Sequence, residues 1–250
     1  MKQRKSLVRK VFPWVFWLLV WAVCYRLVGQ DLLLASPAQV AARFAFVGEG
    51  AFWGCVGMSL VRTAAAYGLG VAVACVLAVA CHLSAWVDDV VRPAMAVIRA
   101  TPVASFIILA LVWLSSSNVP ILAGMLMVTP VVFANLQEGI ASTDGKLLEM
   151  ARMFGWSRSK VFLRIYLPSV LPTLVAACEA CVGLCFKATI AAEVIGVPKN
   201  AIGTQLYNSK IYLETDALLA WTLVVIILSI VLERLLKAAF ERGLRRVRHA

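Results

Sequence analysis

The chain has 250 residues, of which 62% are hydrophobic and only 15% carry a charge. Soluble globular domains carry about 25% charged residues, so this composition excludes an ordinary soluble domain and indicates a protein built into a bilayer. The net charge of +11 comes from basic residues that flank the apolar segments. This placement favours attraction to anionic lipid and argues against a nucleic-acid-binding surface.

Six apolar segments are long enough to cross a membrane, because a spanning helix needs about 20 mostly apolar residues. In chain order they cover residues 12–29, 59–82, 92–114, 119–137, 171–190 and 214–236. We therefore predict an all-α membrane protein with six transmembrane helices. Its parts are an N-terminal tail, first span and external loop over 1–58, a core over 59–237 and a basic cytoplasmic tail over 238–250.

The first segment has the charged start of a signal peptide, but its apolar run is too long for a signal core and no small-x-small cleavage site follows. We predict that this span is retained. An external loop from Asp31 to Glu49 then follows, with an interfacial helix near Ala38 to Phe46.

Lys and Arg cluster in both tails and in the loop between the fourth and fifth spans. Because cytoplasmic loops of membrane proteins collect basic residues, this distribution predicts that both termini and that loop are cytoplasmic.

Three of the seven cysteines, Cys178, Cys181 and Cys185, share one face of the fifth span. A metal site would need histidine or carboxylate neighbours on that face, and a disulfide framework is not supported. We therefore predict that these small side chains form a helix–helix contact.

The loop over about 139–170 is polar and charged. Thr143 or Asp144 can cap a short helix, and Gly155 can end it in a left-handed conformation. Ser157 can cap a second short helix, which Pro168 is predicted to break before the fifth span.

The first of these helices is amphipathic. Its apolar side carries Leu147, Leu148, Ala151 and Phe154. On the other side Glu149 and Arg152 are three residues apart and able to pair.

The run Glu149-Met150-Ala151-Arg152-Met153-Phe154-Gly155, followed after nine residues by Ile165-Tyr166-Leu167-Pro168, resembles the loop with which permease subunits of bacterial ATP-driven (ABC) importers hold their ATPase. The family pattern is Glu-Ala-Ala, three residues, Gly, nine residues, Ile, any residue, Leu-Pro. Every spacing matches, and Met150 is the one position that departs.

Two further runs resemble the nitrate/sulfonate/taurine/bicarbonate class of these permeases. They are Arg92-Pro93 to Arg99-Ala100-Thr101-Pro102-Val103-Ala104, and Ala192-Glu193-Val194-Ile195-Gly196 with Ile202-Gly203. The resemblance implies a type I importer permease in the bacterial inner membrane. It further implies a homodimer with the pathway near the two-fold axis, a cytoplasmic ATPase dimer and an extracytoplasmic substrate-binding protein.

The resemblance also assigns ATPase coupling to Glu149, Ala151, Arg152, Phe154, Gly155, Ile165, Leu167 and Pro168. In this interpretation Phe154 inserts into a groove on the ATPase, and Glu149 and Arg152 orient it by ion pairs. The alternative is an interfacial helix that only connects two spans.

The chain is expected to bind no cofactor of its own. Gly145-Lys146 lacks the other features of a phosphate-binding loop, because Ile140 replaces the first glycine and Leu147 replaces the Ser or Thr. ATP and magnesium would therefore belong to the partner ATPase.

Ionisable residues within spans are candidate functional residues, because they are costly there. Arg99 and Glu179 lie roughly 10 and 12 Å from the cytoplasmic side if their spans are straight. We predict that they pair, within one chain or across the dimer, either to fix packing or to line the pathway.

Glu179 stands where the class commonly has a basic residue. This departure favours a neutral or cationic organic solute, such as a pyrimidine, over a sulfonate-, taurine- or nitrate-like anion.

The remaining pathway or gate candidates are Thr101, Pro102, Lys187 and Glu193. Lys187 can also extend to the external interface, and Glu193 can instead serve as a cap or an interfacial ion pair. Arg62 is predicted to be an anchor at the external surface.

Two other classes compete with the importer. A secondary transporter or channel would show inverted repeats or paired broken helices, which the sequence does not show. An intramembrane enzyme would need a catalytic motif, and neither His-Glu-x-x-His nor Gly-x-Ser-x-Gly is present.

Overall fold

The structure is a computed structural model that describes residues 2–248, with side chains described for residues 12–242. All regular elements in this part of the chain are helical, as the sequence predicts. The helices are α1 (Lys2–Val28), α2 (Pro37–Arg43), α3 (Gly50–Leu83), α4 (Ala85–Ala100), α5 (Val103–Ala110), α6 (Val119–Ala141), α7 (Gly145–Met153), α8 (Arg158–Val161), α9 (Leu167–Gly196), α10 (Ile202–Ile211) and α11 (Thr215–Arg248). A 3-10 turn (Phe44–Gly48) follows α2, and a π turn (Phe162–Tyr166) joins α8 to α9.

Four helical segments are long and apolar enough to cross a membrane: α3, α6, the continuous segment Arg158–Gly196, and Thr215–Arg242 of α11. The bent pair α4 and α5 makes a fifth span if it is counted as one. In α1 the described apolar stretch, Phe12–Val28, is shorter. The structure thus has a helix or helix pair at each of the six predicted spans.

The third predicted span, 92–114, is not one straight helix. α4 and α5 meet at an angle of 101°. Thr101 between them is extended, with φ −82° and ψ 130°, the conformation that a following proline favours. Pro102 has no N–H with which to continue the helix. The segment is therefore a bent helix pair and not one straight helix. The depth estimated for Arg99 assumed a straight span and does not apply.

Pro168 does not break the chain before the fifth span, which corrects a second prediction. The chain stays helical from Arg158 to Gly196. Pro168, the second residue of α9, directly follows a π turn, which accommodates its missing N–H. The preceding π turn closes when Leu167 N–H donates to the Phe162 carbonyl. The hydroxyl of Ser169 donates to the Ile165 carbonyl at 2.7 Å.

The core lies where α3, α6 and α9 pack together. Gly124 of α6 allows the closest approach, since a Cβ there would lie 2.8 Å from Ala66 Cβ and 2.8 Å from Thr189 Oγ1. Cys185 is buried at the same contact and donates to the Thr63 carbonyl at 3.7 Å. The predicted helix–helix contact of the cysteines on α9 is therefore confirmed.

The predicted helix near Ala38 to Phe46 is present as α2 and the following 3-10 turn. Ser36 and Gln39 cap α2 reciprocally. Arg43, at the end of α2, forms ion pairs with Glu214 at 3.1 Å and Asp216 at 3.0 Å. These contacts fix the segment to the start of α11.

Candidate functional site

The loop between α6 and α9 is built from local capping signals. The Asp144 carboxylate accepts the Lys146 N–H at 2.9 Å and caps α7. Gly155 follows the helix with φ +62° and donates to the Arg152 carbonyl at 3.1 Å, while Trp156 N–H donates to the Ala151 carbonyl at 2.9 Å. These two bonds form a Schellman motif, which needs a left-handed residue and so favours glycine.

The residues of the loop pattern fall into a buried group and an exposed group. Ala151 and Ile165 are buried. Phe154 is 74% exposed and its neighbour Met153 is 87% exposed. Large apolar side chains projecting together from a polar segment indicate a contact surface for another protein or for the membrane interface.

The predicted pair between Glu149 and Arg152 is not formed. Both side chains are exposed, and the four ion pairs among the described side chains involve other residues. Both charges therefore remain available to a partner. Leu167 and Pro168, the last residues of the pattern, are also exposed.

The second short helix is tied to its surroundings on both sides. Ser157 caps it by accepting the Lys160 N–H at 3.4 Å, and the Lys160 ammonium lies 4.3 Å from the centre of the Trp156 ring. Tyr166, in the π turn, packs edge-on against His82 at the end of α3, with 4.9 Å between ring centroids. The loop thus contacts both α9 and α3.

Glu193 and Arg62 form a buried ion pair. The sequence analysis named an interfacial ion pair as an alternative for Glu193 but did not name Arg62 as its partner. Glu193 is fully buried and Arg62 is 4% exposed. Arg62 Nη1 donates to Glu193 Oε1 at 3.1 Å, and the Ser59 hydroxyl contacts the carboxylate at 2.8 and 2.9 Å. The prediction of Arg62 as a surface anchor was wrong because α3 begins at Gly50, earlier than the predicted span.

This ion pair holds the connection between α9 and α10. Arg62 donates to the backbone carbonyls of Lys199 at 3.0 Å and Asn200 at 3.2 Å. The N–H of Gly203 donates to Glu193 at 3.1 Å, and a Cβ at Gly203 would overlap Glu193. We call Ser59, Arg62, Glu193 and Gly203 the α9–α10 clasp.

Arg99, Thr101 and Pro102 lie at the bend between α4 and α5. Arg99 is exposed and lines an open cavity of about 800 Å³ between α3, α4 and α6. Polar side chains of the same cavity include Asp88, which pairs with Arg92 at 2.8 Å. Within one chain Arg99 and Glu179 form no ion pair among the described side chains.

Glu179 and Lys187 lie on one open face of α9, where Glu179 is half-buried and Lys187 is exposed. Between them is Gly183, and a Cβ there would meet the Glu233 carboxylate of α11. The sequence analysis did not single out Glu233, because it lies near the predicted end of a span. Only the packing of α11 on α9 brings it to this face.

A family described as "Binding-protein-dependent transport system inner membrane component" matches residues 66–246 of this chain. Over 220 residues the chain is 27% identical to the aliphatic sulfonates transport permease protein SsuC of Escherichia coli (strain K12), covering 85% of this chain and 82% of that protein. Over 230 residues it is 24% identical to the taurine transport system permease protein TauC of the same organism, covering 89% and 83%. Over 193 residues it is 25% identical to the formylaminopyrimidine transport permease protein ThiX of Halalkalibacterium halodurans, covering 74% and 75%.

Two solved structures share the fold. An amino acid ABC transporter with histidines superposes with a TM-score of 0.63 at 20% identity, covering 77% of this chain and 94% of that chain. The inward-facing MetNI methionine ABC transporter superposes with a TM-score of 0.56 at 17% identity, covering 78% and 93%. The fold is therefore that of a type I importer permease, and the chain belongs to the family of binding-protein-dependent inner-membrane transport components, as a non-catalytic, multi-pass permease subunit of an ABC importer.

Proposed function

We propose that two copies of this chain enclose the pathway for a small organic solute and that the 149–168 loop couples them to a separate cytoplasmic ATPase dimer, which binds ATP and magnesium. An extracytoplasmic binding protein delivers the solute. Both termini and the loop lie on the cytoplasmic side, as the basic residues suggest.

The observation that supports coupling is the projecting tip of Met153 and Phe154. Both side chains are mostly exposed, while buried Ala151 and the Schellman motif at Gly155 fix the backbone that carries them. An apolar tip on a rigid base suits insertion into a groove on a partner, because little side-chain or loop ordering remains to be done on binding.

The α9–α10 clasp supports a gating role for Glu193. It lies at the end of α9 opposite the loop, and it holds the start of α10 through side-chain contacts that a shift of α9 would break. We propose that Glu193 positions the external gate, while Arg99, Thr101 and Pro102 contribute to the pathway at the bend.

Gly155→Val, compared with Gly145→Val, tests the coupling proposal. A Cβ at either glycine meets no atom within 4 Å, but only Gly155 has a positive φ. A left-handed conformation costs a residue other than glycine about 1–2 kcal/mol. Gly155→Val should therefore disrupt the turn that fixes the position of Met153 and Phe154. Co-purification of the ATPase in mild detergent should fall about tenfold for Gly155→Val and stay unchanged for Gly145→Val.

The same preparation separates the alternatives. An intact permease that co-purifies with no nucleotide-binding subunit, before any substitution, would instead support a secondary transporter or channel. Equal recovery of the ATPase with both variants would remove the coupling role from the tip.

A further inference from the structure

Three ionisable side chains share one face of the α9–α11 pair. Glu179, Gly183 and Lys187 are four residues apart along α9, so they lie above one another. The carboxylate of Glu233 reaches from α11 to Gly183, which has no side chain in its way. The three charged groups therefore form one patch about 12 Å long, since a helix rises 1.5 Å per residue.

We place this patch within the membrane region, because its α9 residues fall inside the predicted fifth span, 171–190. Gly183 is near the middle of the 30-residue helix Leu167–Gly196. Charged side chains at such depth are costly against lipid and almost always face a protein or aqueous interior. Among the described side chains none of the three groups joins an ion pair, and Lys187 and Glu233 are exposed in the single chain. Lipid is therefore an unsuitable neighbour for this face.

The two-fold symmetry of the proposed dimer limits what can cover this charged face in place of lipid. Two copies related by a two-fold axis along the membrane normal repeat each charge at the same depth, so like charges oppose one another. Direct contact between the two faces would bury like charges together, which is destabilising. The exposed neighbours Ala176 and Ala180 are small and leave space between the copies. A gap filled by water or solute fits these observations, and tight packing does not.

We propose that Glu179 and Glu233 of both copies line the solute pathway and bind a cationic nitrogen of the transported solute, an inference that rests on the two-copy importer proposed above. Each copy contributes two carboxylates and one ammonium, so two copies carry a net charge of −2. Glu233 stands between the levels of Glu179 and Lys187. A cationic group is stabilised at the carboxylates, and an acidic group on the same solute would lie nearer Lys187.

A reporter thiol between these groups measures the charge of the pathway directly. Ala180→Cys is introduced into a chain with Cys24→Ser and Cys75→Ser, because the other described cysteines are buried. The intact transporter is treated with a cationic and an anionic methanethiosulfonate of similar size, and the two rate constants are compared. We expect both reagents to react. Glu233→Gln should lower the cation-to-anion rate ratio about tenfold, because one unit charge roughly 6 Å away acts oppositely on the two probes. Glu179→Gln should lower it as well.

Glu241→Gln is the matched control, since Glu241 is an exposed carboxylate on the same helix two turns further on, and it should leave the ratio within about twofold. If both reagents react but Glu233→Gln leaves the ratio unchanged, the carboxylate site is wrong and the pathway position of this face stands. If neither reagent reacts, this face does not line an aqueous pathway and the inference fails. ATPase co-purification decides the importer proposal separately in both cases.

Discussion

At the scale of single residues, the α9–α10 clasp contains the only ion pair among the described side chains whose two members are both buried. Arg62 and Glu193 are both removed from solvent and hydrogen-bond to each other. Arg62 also donates to two backbone carbonyls of the α9–α10 connection, and Glu193 accepts a backbone N–H at the start of α10. Removing one partner leaves an uncompensated buried charge, which is far more costly than losing an exposed pair.

Arg62→Met should therefore destabilise the protein by about 3–5 kcal/mol. The control Arg43→Met removes an exposed arginine from its pairs with Glu214 and Asp216 and should cost no more than about 1 kcal/mol. The two variants are compared by thermal unfolding in detergent. A thiol dye that reacts with the buried cysteines as they become exposed monitors the unfolding. Equal losses of stability would contradict the burial argument, and replacing Glu193 by Gln in the Arg62→Met chain should restore part of the loss.

Local signals predicted the residues of the loop better than those of the spans. The caps at Asp144 and Ser157 and the turn at Gly155 depend only on residues a few positions away, and the structure confirms all three. The clasp joins Ser59 and Arg62 to residues more than 130 positions later. The sequence analysis predicted Arg62 to be a surface anchor, and no local pattern names Glu193 as its partner.

At the scale of helices, close approach at small residues sets the packing of α3, α6 and α9. Gly124 contacts the two neighbouring helices at once, through Ala66 of α3 and Thr189 and Cys185 of α9. Helices in membranes have little hydrophobic driving force between them, so such close contacts supply much of their association.

Gly124→Val should separate these helices and cost at least about 1–3 kcal/mol, because the added side chain overlaps two of them. Gly68→Val is the control, since Gly68 lies on the exposed side of α3 with no atom within 4 Å of its Cβ. The fraction of monodisperse protein recovered after stepwise heating measures the difference. A Gly124→Val protein as heat-resistant as Gly68→Val would show that the contact can relax freely.

Prolines show why helix ends were harder to predict than helices. Pro102 ends α4 because Thr101 before it becomes extended. Pro168 interrupts nothing because the π turn directly before it accommodates its missing N–H. Pro93, Pro130 and Pro172 lie inside helices. The apolar runs therefore predicted where helices lie, and the surrounding turns decided which prolines break them.

At the scale of the whole molecule, the basic residues predict the orientation in the membrane, and labelling can measure it. In intact spheroplasts a membrane-impermeant maleimide should modify Asp31→Cys, between α1 and α2, and leave Ser159→Cys, in α8, unmodified. Inverted vesicles should give the opposite result, because the basic loop is expected on the cytoplasmic side. Both sites are exposed in the structure. Modification of Ser159→Cys in spheroplasts would reverse the orientation.

The fifth span belongs to one continuous helical segment from Arg158 to Gly196, so a movement at its loop end is transmitted to its far end. This segment has 39 residues and is therefore about 58 Å long at 1.5 Å per residue. Pivoting this rod at its loop end by one degree displaces the other end by about 1 Å at that length. Glu193 lies three residues from that far end, and its hydrogen bonds lie between 2.8 and 3.1 Å. If the proposed ATPase coupling tilted this helix by a few degrees while α3 and α10 stayed in place, these hydrogen bonds of the clasp would break.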